Sequence, residues 1–216
     1  MFSLPPMSRF FLAALLLLLP IGIPSAFAAH NAAEGLETVG ANALSRVRDS
    51  VTRLNDLGEE VARLNVEIVA AEAGGASAND LRDARDRAID QMSGLAHVRV
   101  IEQANGSASV VVENTLFVDG GDSKRFAVGS APGGAVRVEI PGSSAIPVST
   151  YGEGSALNEA LRVINTDVPA ARAELDRLAA ALVEKVNDLH TSGYAPGDDF
   201  AAPAAGFFTP AEDLPG

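Results

Sequence analysis

A seven-residue repeat of apolar side chains constrains the fold of this chain more than any other feature of its sequence. The two core positions of the repeat hold Val47, Leu54, Val61 and Ile68, and Ser50, Leu57, Leu64 and Ala71. This spacing predicts a helix of roughly seven turns or more, with one side packed against other helices. We expect the helix to start as early as Ala33 and to end at Gly74-Gly75, because glycine commonly stops a helix.

A second helix is predicted after a short loop, so the two helices should form an antiparallel hairpin. Ser77 is the candidate N-cap of this second helix, with Asp80 three residues further on. Its apolar face is formed by Leu81, Ala84, Ala88, Met92 and Leu95.

The sequence pattern then changes from a helical period to alternation, which predicts a β-subdomain. Residues 97–101 and 109–113 flank the turn Ala104-Asn105-Gly106, a strong hairpin signal. Further glycine-rich turns divide the segment that follows. We expect about four to six short antiparallel strands between residues 97 and 148, with one face of the sheet buried.

A third heptad pattern opens at Ser155 and continues to about Leu189. Pro169 lies inside it, and because proline lacks a backbone N–H, we expect a kink there or a restart capped by Thr166 or Asp167. The apolar positions of this pattern are Leu157, Leu161, Ile164, Val168, Ala171, Leu175, Leu178, Leu182 and Leu189.

Together these elements predict an α+β fold, a long antiparallel bundle of three coiled-coil-like helices with a small antiparallel β-subdomain inserted. The stripes around Leu57 and Leu178 are expected to lie against each other. The predicted segments are a signal-peptide-like leader (1–28), a helical hairpin (29–96), the β-subdomain (97–150), a long helix packing on the hairpin (151–192) and a flexible Gly-, Ala-, Pro- and Phe-rich tail (193–216).

Residues 1–28 have the features of a secretory signal peptide. Arg9 precedes an uncharged run from Phe10 to Leu19, and Ala26-Phe27-Ala28 stands before the predicted cleavage point. The run is shorter than the ~20 residues that a membrane-spanning helix needs, so we expect no permanent membrane anchor. The net charge of −12 argues against nucleic-acid binding, and the absence of cysteine excludes disulfides and thiolate chemistry.

A cluster of acidic residues on the second predicted helix raises the question of a metal or catalytic site. Asp80, Asp83, Asp86 and Asp90 lie among three arginines. Helical aspartates at this spacing need ligands from a second element, and the arginines would repel a cation. Pairs such as Arg82 with Asp86 have the i,i+4 spacing that supports a helix, so we interpret the cluster as a solvated face.

No histidine has a nucleophile in a recognisable hydrolase setting near it, so we predict no enzyme activity, no metal and no cofactor. Two asparagines, Asn65 and Asn187, sit beside apolar heptad positions. Each amide either fixes the register between helices at some cost in stability or faces water at the boundary of the stripe. The sequence leaves both interpretations open.

Several groups of residues on the predicted helices follow one set of family motifs. The motif I-x-x-L-N-x-x-I, which follows Leu54, is matched by Val61, Leu64, Asn65 and Ile68. The motif N-D-L-x-D-x-R-D is matched from Asn79 onward by Asp80, Leu81, Asp83, Arg85 and Asp86. The motifs L-D-x-L-A and V-N-x-x-H-x-x-G are matched by Leu175 and Leu178, and by Val186, Asn187 and His190. In order and spacing these residues resemble the flagellar hook-associated protein 1 family.

The resemblance covers roughly residues 46–210 and implies a structural, non-enzymatic protein of the bacterial flagellum. Members of the family form the junction between hook and filament, so the resemblance implies other flagellar axial proteins, hook and junction subunits, as partners, with self-association as a further option. The terminal helices of the family have no counterpart in this sequence, which implies a truncated or divergent member. The alternative is a secreted or periplasmic helical binding module that holds a partner peptide.

Overall fold

The structure is a computed structural model that describes residues 9–75, 77–142 and 154–192, with side chains from residue 28 onward except that of Ala29. Its helices are α1 (Arg9–Ala73), α2 (Asn79–Ser93), α3 (Ala156–Arg162) and α4 (Val168–Thr191), with a π-helical turn (Val163–Asp167) between α3 and α4. Its strands are β1 (Val98–Glu102), β2 (Ala108–Val112), β3 (Thr115–Asp119), β4 (Asp122–Ser123), β5 (Ala127–Ser130) and β6 (Val136–Glu139). The predicted α+β class is confirmed. The predicted tail, 193–216, lies outside the described residues.

The chain forms two compact units. One is Thr38–Pro169, and the other combines Met1–Glu37 with Ala170–Gly216. The predicted start of the first helix is wrong, because α1 begins at Arg9 and includes most of the predicted leader. Its predicted end is correct, since Gly74 and Gly75 follow it in a turn.

The heptad stripe of α1 forms one wall of the core in Thr38–Pro169. Its buried members are Val47, Leu54, Leu57, Val61, Leu64 and Ile68. The core joins most of this stripe to buried residues of α2, the strands and α3, among them Met92, Val110 and Leu157. Burial of a large apolar side chain stabilises a fold by about 1.5–3 kcal/mol, so this stripe holds the unit together.

A glycine inside α1 makes room for an aromatic pair of the β-subdomain. A Cβ atom at Gly58 would lie only 2.5 Å from Cε1 of Phe117. The ring of Phe117 stacks on Phe126, with ring centroids 4.6 Å apart. Glycine in a helix interior costs about 1 kcal/mol relative to alanine, and here it provides the space that the aromatic pair needs.

The β-subdomain consists of a four-stranded antiparallel sheet in the order β1-β2-β3-β4 and a two-stranded sheet of β5 and β6. The hairpin predicted at Ala104-Asn105-Gly106 joins β1 to β2, in a register that pairs Val100 with Val110. A second tight turn was not predicted. Glu113 and Asn114, with φ of 49° and 71°, connect β2 to β3 in a two-residue loop, as a right-twisted hairpin requires.

Helix α2 runs antiparallel to α1, as the order of their contacts shows: Arg53 bonds to Gln91 near one end, and Arg82 bonds to Glu72 near the other. The predicted cap is wrong. Ala78 occupies the N-cap, and the Ser77 hydroxyl instead donates to Asn79 Oδ1.

The buried face of α2 also differs from the predicted one, because it is turned toward the β1–β2 hairpin. Ala88 and Met92 are buried as expected, and Leu81 is only half-buried. Ile89 and Arg85 are buried instead of the predicted Ala84.

Pro169 neither ends a helix nor follows a new cap. A five-residue π-helical turn precedes α4. At its end the Val168 N–H donates to the carbonyl of Val163, five residues earlier. A proline cannot donate to the carbonyl four residues earlier, so the wider turn lets the chain continue as a helix. The prediction of a restart capped by Thr166 or Asp167 is therefore wrong.

The second unit contains residues 9–37 of α1 and most of α4 among those that the structure describes. Arg172 of α4 forms an ion pair with Glu37 of α1 at 3.4 Å. No residue of α4 is buried, and Leu178 is 64% exposed. The prediction that a stripe around Leu178 is buried against the one around Leu57 is thus wrong, because burial in this third heptad pattern stops in α3, at Leu157 and Leu161.

Within the described part of the chain, no helix combines the length and the apolar character needed to cross a membrane.

Candidate functional site

The candidate site is a set of polar contacts that fasten the helices to the strands within Thr38–Pro169, and we call it the polar junction. Its helical side chains are Asn55, Asn65 and Glu72 of α1, Arg82 and Arg85 of α2, and Asn165 of the π-helical turn. The three asparagines and Arg85 bind backbone groups of the β-subdomain, and Glu72 and Arg82 pair with each other beside the first hairpin turn. The contacts therefore determine how the sheet sits on the helices.

Asn65 is the centre of the polar junction. Its side chain is 0% exposed, and its Nδ2 donates to the carbonyls of Ala108 at 2.7 Å and Gly120 at 2.8 Å. The Ala108 N–H donates in return to Asn65 Oδ1 at 2.9 Å, and Arg85 Nη1 donates to the same oxygen at 3.3 Å. One amide thus joins α1 to two segments of the sheet and to α2.

Two further asparagines repeat this two-point contact. Asn55 Nδ2 donates to the Phe126 carbonyl at 3.0 Å while its Oδ1 accepts the Phe126 N–H at 2.8 Å. Asn165 makes the same pair with Val136, with both distances 2.8 Å. An amide can do this because it carries a donor and an acceptor side by side, as a peptide group does.

Arg85 is a buried cation, 1% exposed, beneath the β1–β2 hairpin. Its Nη1 donates to the Gly106 carbonyl at 2.9 Å, and its Nη2 lies 3.5 Å from Glu102 Oε1. A buried guanidinium must be hydrogen-bonded to offset its desolvation, so the turn carbonyl and Asn65 are required partners. This residue is an exception to the predicted solvated face of α2.

An ion pair closes the junction beside the hairpin turn. Arg82 donates through Nε and Nη2 to the two carboxylate oxygens of Glu72, both at 2.8 Å. This hydrogen bond lowers the pKa of Glu72 and raises that of Arg82. Gly106 has φ of +89°, and a Cβ there would lie 2.5 Å from Glu72 Oε2, so the turn requires glycine at this position.

The predicted aspartate cluster does not form a site. Asp80, Asp83 and Asp86 are exposed, and the predicted pair of Arg82 with Asp86 is absent because Arg82 binds Glu72. Arg87 donates to the backbone carbonyl of Asp83 rather than to its carboxylate. Among the residues with described positions, no three His, Asp or Glu side chains are grouped as a metal site would require.

The motif residues of α4 lie apart from the polar junction. Leu175, Val186, Asn187 and His190 are half-buried, and Leu178 is exposed. The backbone carbonyl of Asn187 accepts from the Thr191 hydroxyl at 2.9 Å. For Asn65 the structure excludes the interpretation that the amide faces water, and its main partners are strand backbone groups rather than a neighbouring helix. For Asn187 the two interpretations remain open.

The sequence patterns did not predict the contacts of Asn55 and Asn165 or the burial of Arg85. A signal for the first was present, since Asn55 and Asn65 each follow a heptad leucine, Leu54 and Leu64. A short amide at the edge of an apolar stripe is placed to reach backbone groups that pack on the stripe. Asn165 likewise follows an apolar heptad position, Ile164, but its partner depends on the π-helical turn, which the sequence did not predict.

The arrangement can hold strands in place but offers no nucleophile with an adjacent base. Its members are amides, guanidinium groups and one paired carboxylate, all engaged with the backbone or with each other. Fold and site therefore define a helical packing module with a sheet fastened to its side.

The chain belongs to the family described as the flagellar hook-associated protein FlgK helical domain, which it matches over residues 25–202. It is 28% identical to the flagellar hook-associated protein 1 of Salmonella typhimurium strain LT2 over 157 residues, which is 68% of this chain and 28% of that protein. It is 27% identical to the Escherichia coli K12 protein of the same name over 166 residues, covering 71% of this chain and 30% of the other.

A solved structure of the flagellar hook junction protein FlgK from Burkholderia pseudomallei is similar to this chain, with a TM-score of 0.66 and 26% sequence identity. The similarity covers 82% of this chain and 32% of that one. The chain thus spans about three tenths of the length of the proteins it matches.

Proposed function

We propose that this chain is a structural component of the bacterial flagellum, equivalent to the helical domain of the hook–filament junction protein, and that it acts by packing rather than by catalysis. The observation that carries the proposal is the polar junction on a family-matching helix. Asn65 and Arg85, both in motif positions, are buried and fasten the sheet to α1 and α2.

The physical basis of this role is a unit that resists shear between its helices and its sheet. The attraction between apolar surfaces is non-directional and does not by itself fix one register of the sheet on the helices. Two-point amide contacts are directional, so displacement of a strand along the helix breaks both bonds at once. A domain with such contacts transmits force as one body, which suits a component of a rotating filament.

Its partners in this role are hook and junction subunits, and α4 is the element that supports association with them. Leu178 and Leu189 are 64% and 62% exposed. They are separated by about three helical turns, so they lie on one side of α4. We take these two exposed leucines as the contacts that α4 contributes to the association surface.

Co-sedimentation with isolated hooks tests the proposal. The purified chain is mixed with hook structures stripped of filament, and we expect it to pellet with them. The double variant Leu178→Lys/Leu189→Lys should bind at least about tenfold more weakly with an unchanged circular dichroism spectrum. The matched control is Val66→Lys, which places the same charge at an exposed position of α1 and should bind as the unaltered chain does.

If the unaltered chain remains in the supernatant at every concentration, association with the hook is refuted. Equal binding by the control and the double variant would instead show that the exposed leucines of α4 do not contribute to binding.

The leader-like sequence of residues 1–28 favours a second candidate, an exported helical binding module in the periplasm or outside the cell. Fusion of residues 1–30 to a reporter that is active only after export distinguishes the two. Reporter activity with a cleaved leader supports export by this route. An uncleaved, inactive fusion contradicts it.

A further inference from the structure

Glu113 is a buried carboxylic acid at a place where three elements meet. It is 3% exposed, and it begins the β2–β3 turn in a left-handed conformation. Its Oε1 accepts the backbone N–H of His97 at 2.9 Å, while the Glu113 N–H donates to the His97 carbonyl at 3.0 Å. Its side chain thus takes the place of a strand carbonyl where the backbone turns away from the ladder.

The same carboxyl oxygen reaches helix α3. Asn158 Nδ2 donates to Glu113 Oε1 at 3.3 Å. The start of α3 is held beside it, because the Leu157 N–H donates to the Leu95 carbonyl at 3.1 Å and Ser155 caps the helix through the Asn158 N–H. Glu113 therefore links the beginning of β1 to the first turn of α3.

The other carboxyl oxygen, Oε2, is buried and has no hydrogen-bond partner among the described residues. We propose that Glu113 is a proton-operated latch, which holds α3 to the β-subdomain more firmly when its carboxyl group is neutral than when it is ionised.

The reason is the cost of a buried charge without full compensation. In the ionised form half of the negative charge rests on Oε2, where no donor from the described part of the chain offsets its desolvation. In the neutral form Oε1 still accepts both hydrogen bonds, although more weakly, and the larger cost of the uncompensated charge is gone.

Burial raises the pKa of Glu113 above its ordinary value of 4.5, against the smaller opposing effects of its hydrogen bonds from His97 and Asn158 and of the charge on His97. The exposed His97 side chain, on the α2–β1 connection, supplies the one charge that acts on Glu113 from the described residues packed against it. From α3, Asn158 presents a neutral amide.

The sign of the pH effect follows from this upward shift. Between the ordinary pKa of 4.5 and the higher folded value, the folded chain keeps a proton that the unfolded chain has released. The contribution of Glu113 to stability is therefore fully present below pH 4.5 and is lost as the pH rises through the folded pKa.

Two measurements on the full chain test the latch. Carbon-detected NMR of the labelled carboxyl groups follows the titration of Glu113 itself, and we expect its midpoint above 4.5. Hydrogen exchange follows the Leu157 amide, whose protection, corrected for intrinsic exchange, should fall as the pH rises through that midpoint.

Variants distinguish a pH-dependent link between Glu113 and α3 from a raised pKa of Glu113 that has no effect on α3. Glu113→Gln should make the protection of the Leu157 amide independent of pH in this range, and Glu60→Gln, which neutralises an exposed carboxylate of α1, should not. Asn158→Leu removes a donor that lowers the pKa, so the NMR midpoint of Glu113 should rise further in this variant.

A Glu113 midpoint at or below 4.5 overturns the proposal, whether or not Glu113→Gln folds. An unchanged pH profile at Leu157 in Glu113→Gln, or an unchanged midpoint in Asn158→Leu, overturns the link to α3.

Discussion

Replacing Asn65 with leucine is expected to destabilise the unit Thr38–Pro169 by about 3–5 kcal/mol. Leucine has nearly the same size and shape but can neither donate nor accept, so all four hydrogen bonds of the amide are lost. The Ala108 N–H and carbonyl would be left buried, and the Gly120 carbonyl half-buried, without this partner. Each such group lowers the free energy of unfolding by about 1–3 kcal/mol, and the burial of the apolar leucine side chain offsets part of this decrease.

Urea unfolding followed by far-ultraviolet circular dichroism measures this change, since the chain has no tryptophan to serve as a fluorescent probe. With a urea dependence of about 2 kcal/mol per M, the midpoint should fall by roughly 1.5–2.5 M. The control is Val66→Leu at the next position of α1, which is exposed and should change the free energy of unfolding by less than about 0.5 kcal/mol.

Hydrogen exchange gives a local readout of the same perturbation. The Ala108 amide should lose protection more than the Val110 amide in the middle of β2, because only the first depends on Asn65. An Asn65→Leu variant within about 1 kcal/mol of the unaltered chain would refute the reasoning, since the amide would then stabilise no more than a well-packed apolar side chain.

Three further predictions follow from the fold. Gly58→Ala should lower the free energy of unfolding by about 1–3 kcal/mol despite the better helix propensity of alanine, and Phe117→Leu in the same chain should recover part of the loss. Gly106→Ala should lower it by about 1–3 kcal/mol, because φ there is positive and a Cβ would meet a side-chain oxygen of α1. Leu178→Ala should change it by less than about 0.5 kcal/mol and Leu161→Ala by about 2–5, and equal losses in urea unfolding would contradict the exposure of α4.

Sequence patterns predicted the helices and strands of the fold, because these elements depend on local chemistry. The heptad around Leu54 and Leu64 predicted a helix with a buried stripe, and Asn105-Gly106 predicted the first hairpin. The second hairpin was missed because its turn consists of Glu113 and Asn114, and glutamate gives no signal for a left-handed conformation.

The partners of the elements were harder to predict than the elements themselves. A heptad shows that a helical face is apolar but not which surface covers it, so the stripe around Leu178 was matched to the one around Leu57 although α4 has no buried residue. Arg85 was assigned to a solvated face because its neighbours are exposed aspartates. Its burial depends on the hairpin carbonyl of Gly106, which only the tertiary fold brings near.

Each of the three asparagine contacts lies at the beginning of a strand. Ala108 opens β2, Val136 opens β6, and Phe126 directly precedes β5. Backbone groups at a strand end lack a neighbour in the ladder, and if buried they must find another partner. An amide side chain supplies a donor and an acceptor together, whereas a carboxylate only accepts and an apolar side chain does neither.

This requirement explains why an asparagine stands at a fully buried position next to a heptad leucine. The polar residue costs little there, because its hydrogen bonds replace those that the strand would otherwise lack. It also fixes the register, since a one-residue slip of β2 would present the wrong backbone groups to Asn65 and turn Val110 out of the core. The helix therefore determines where the sheet begins as well as where it packs, which an apolar stripe alone cannot do.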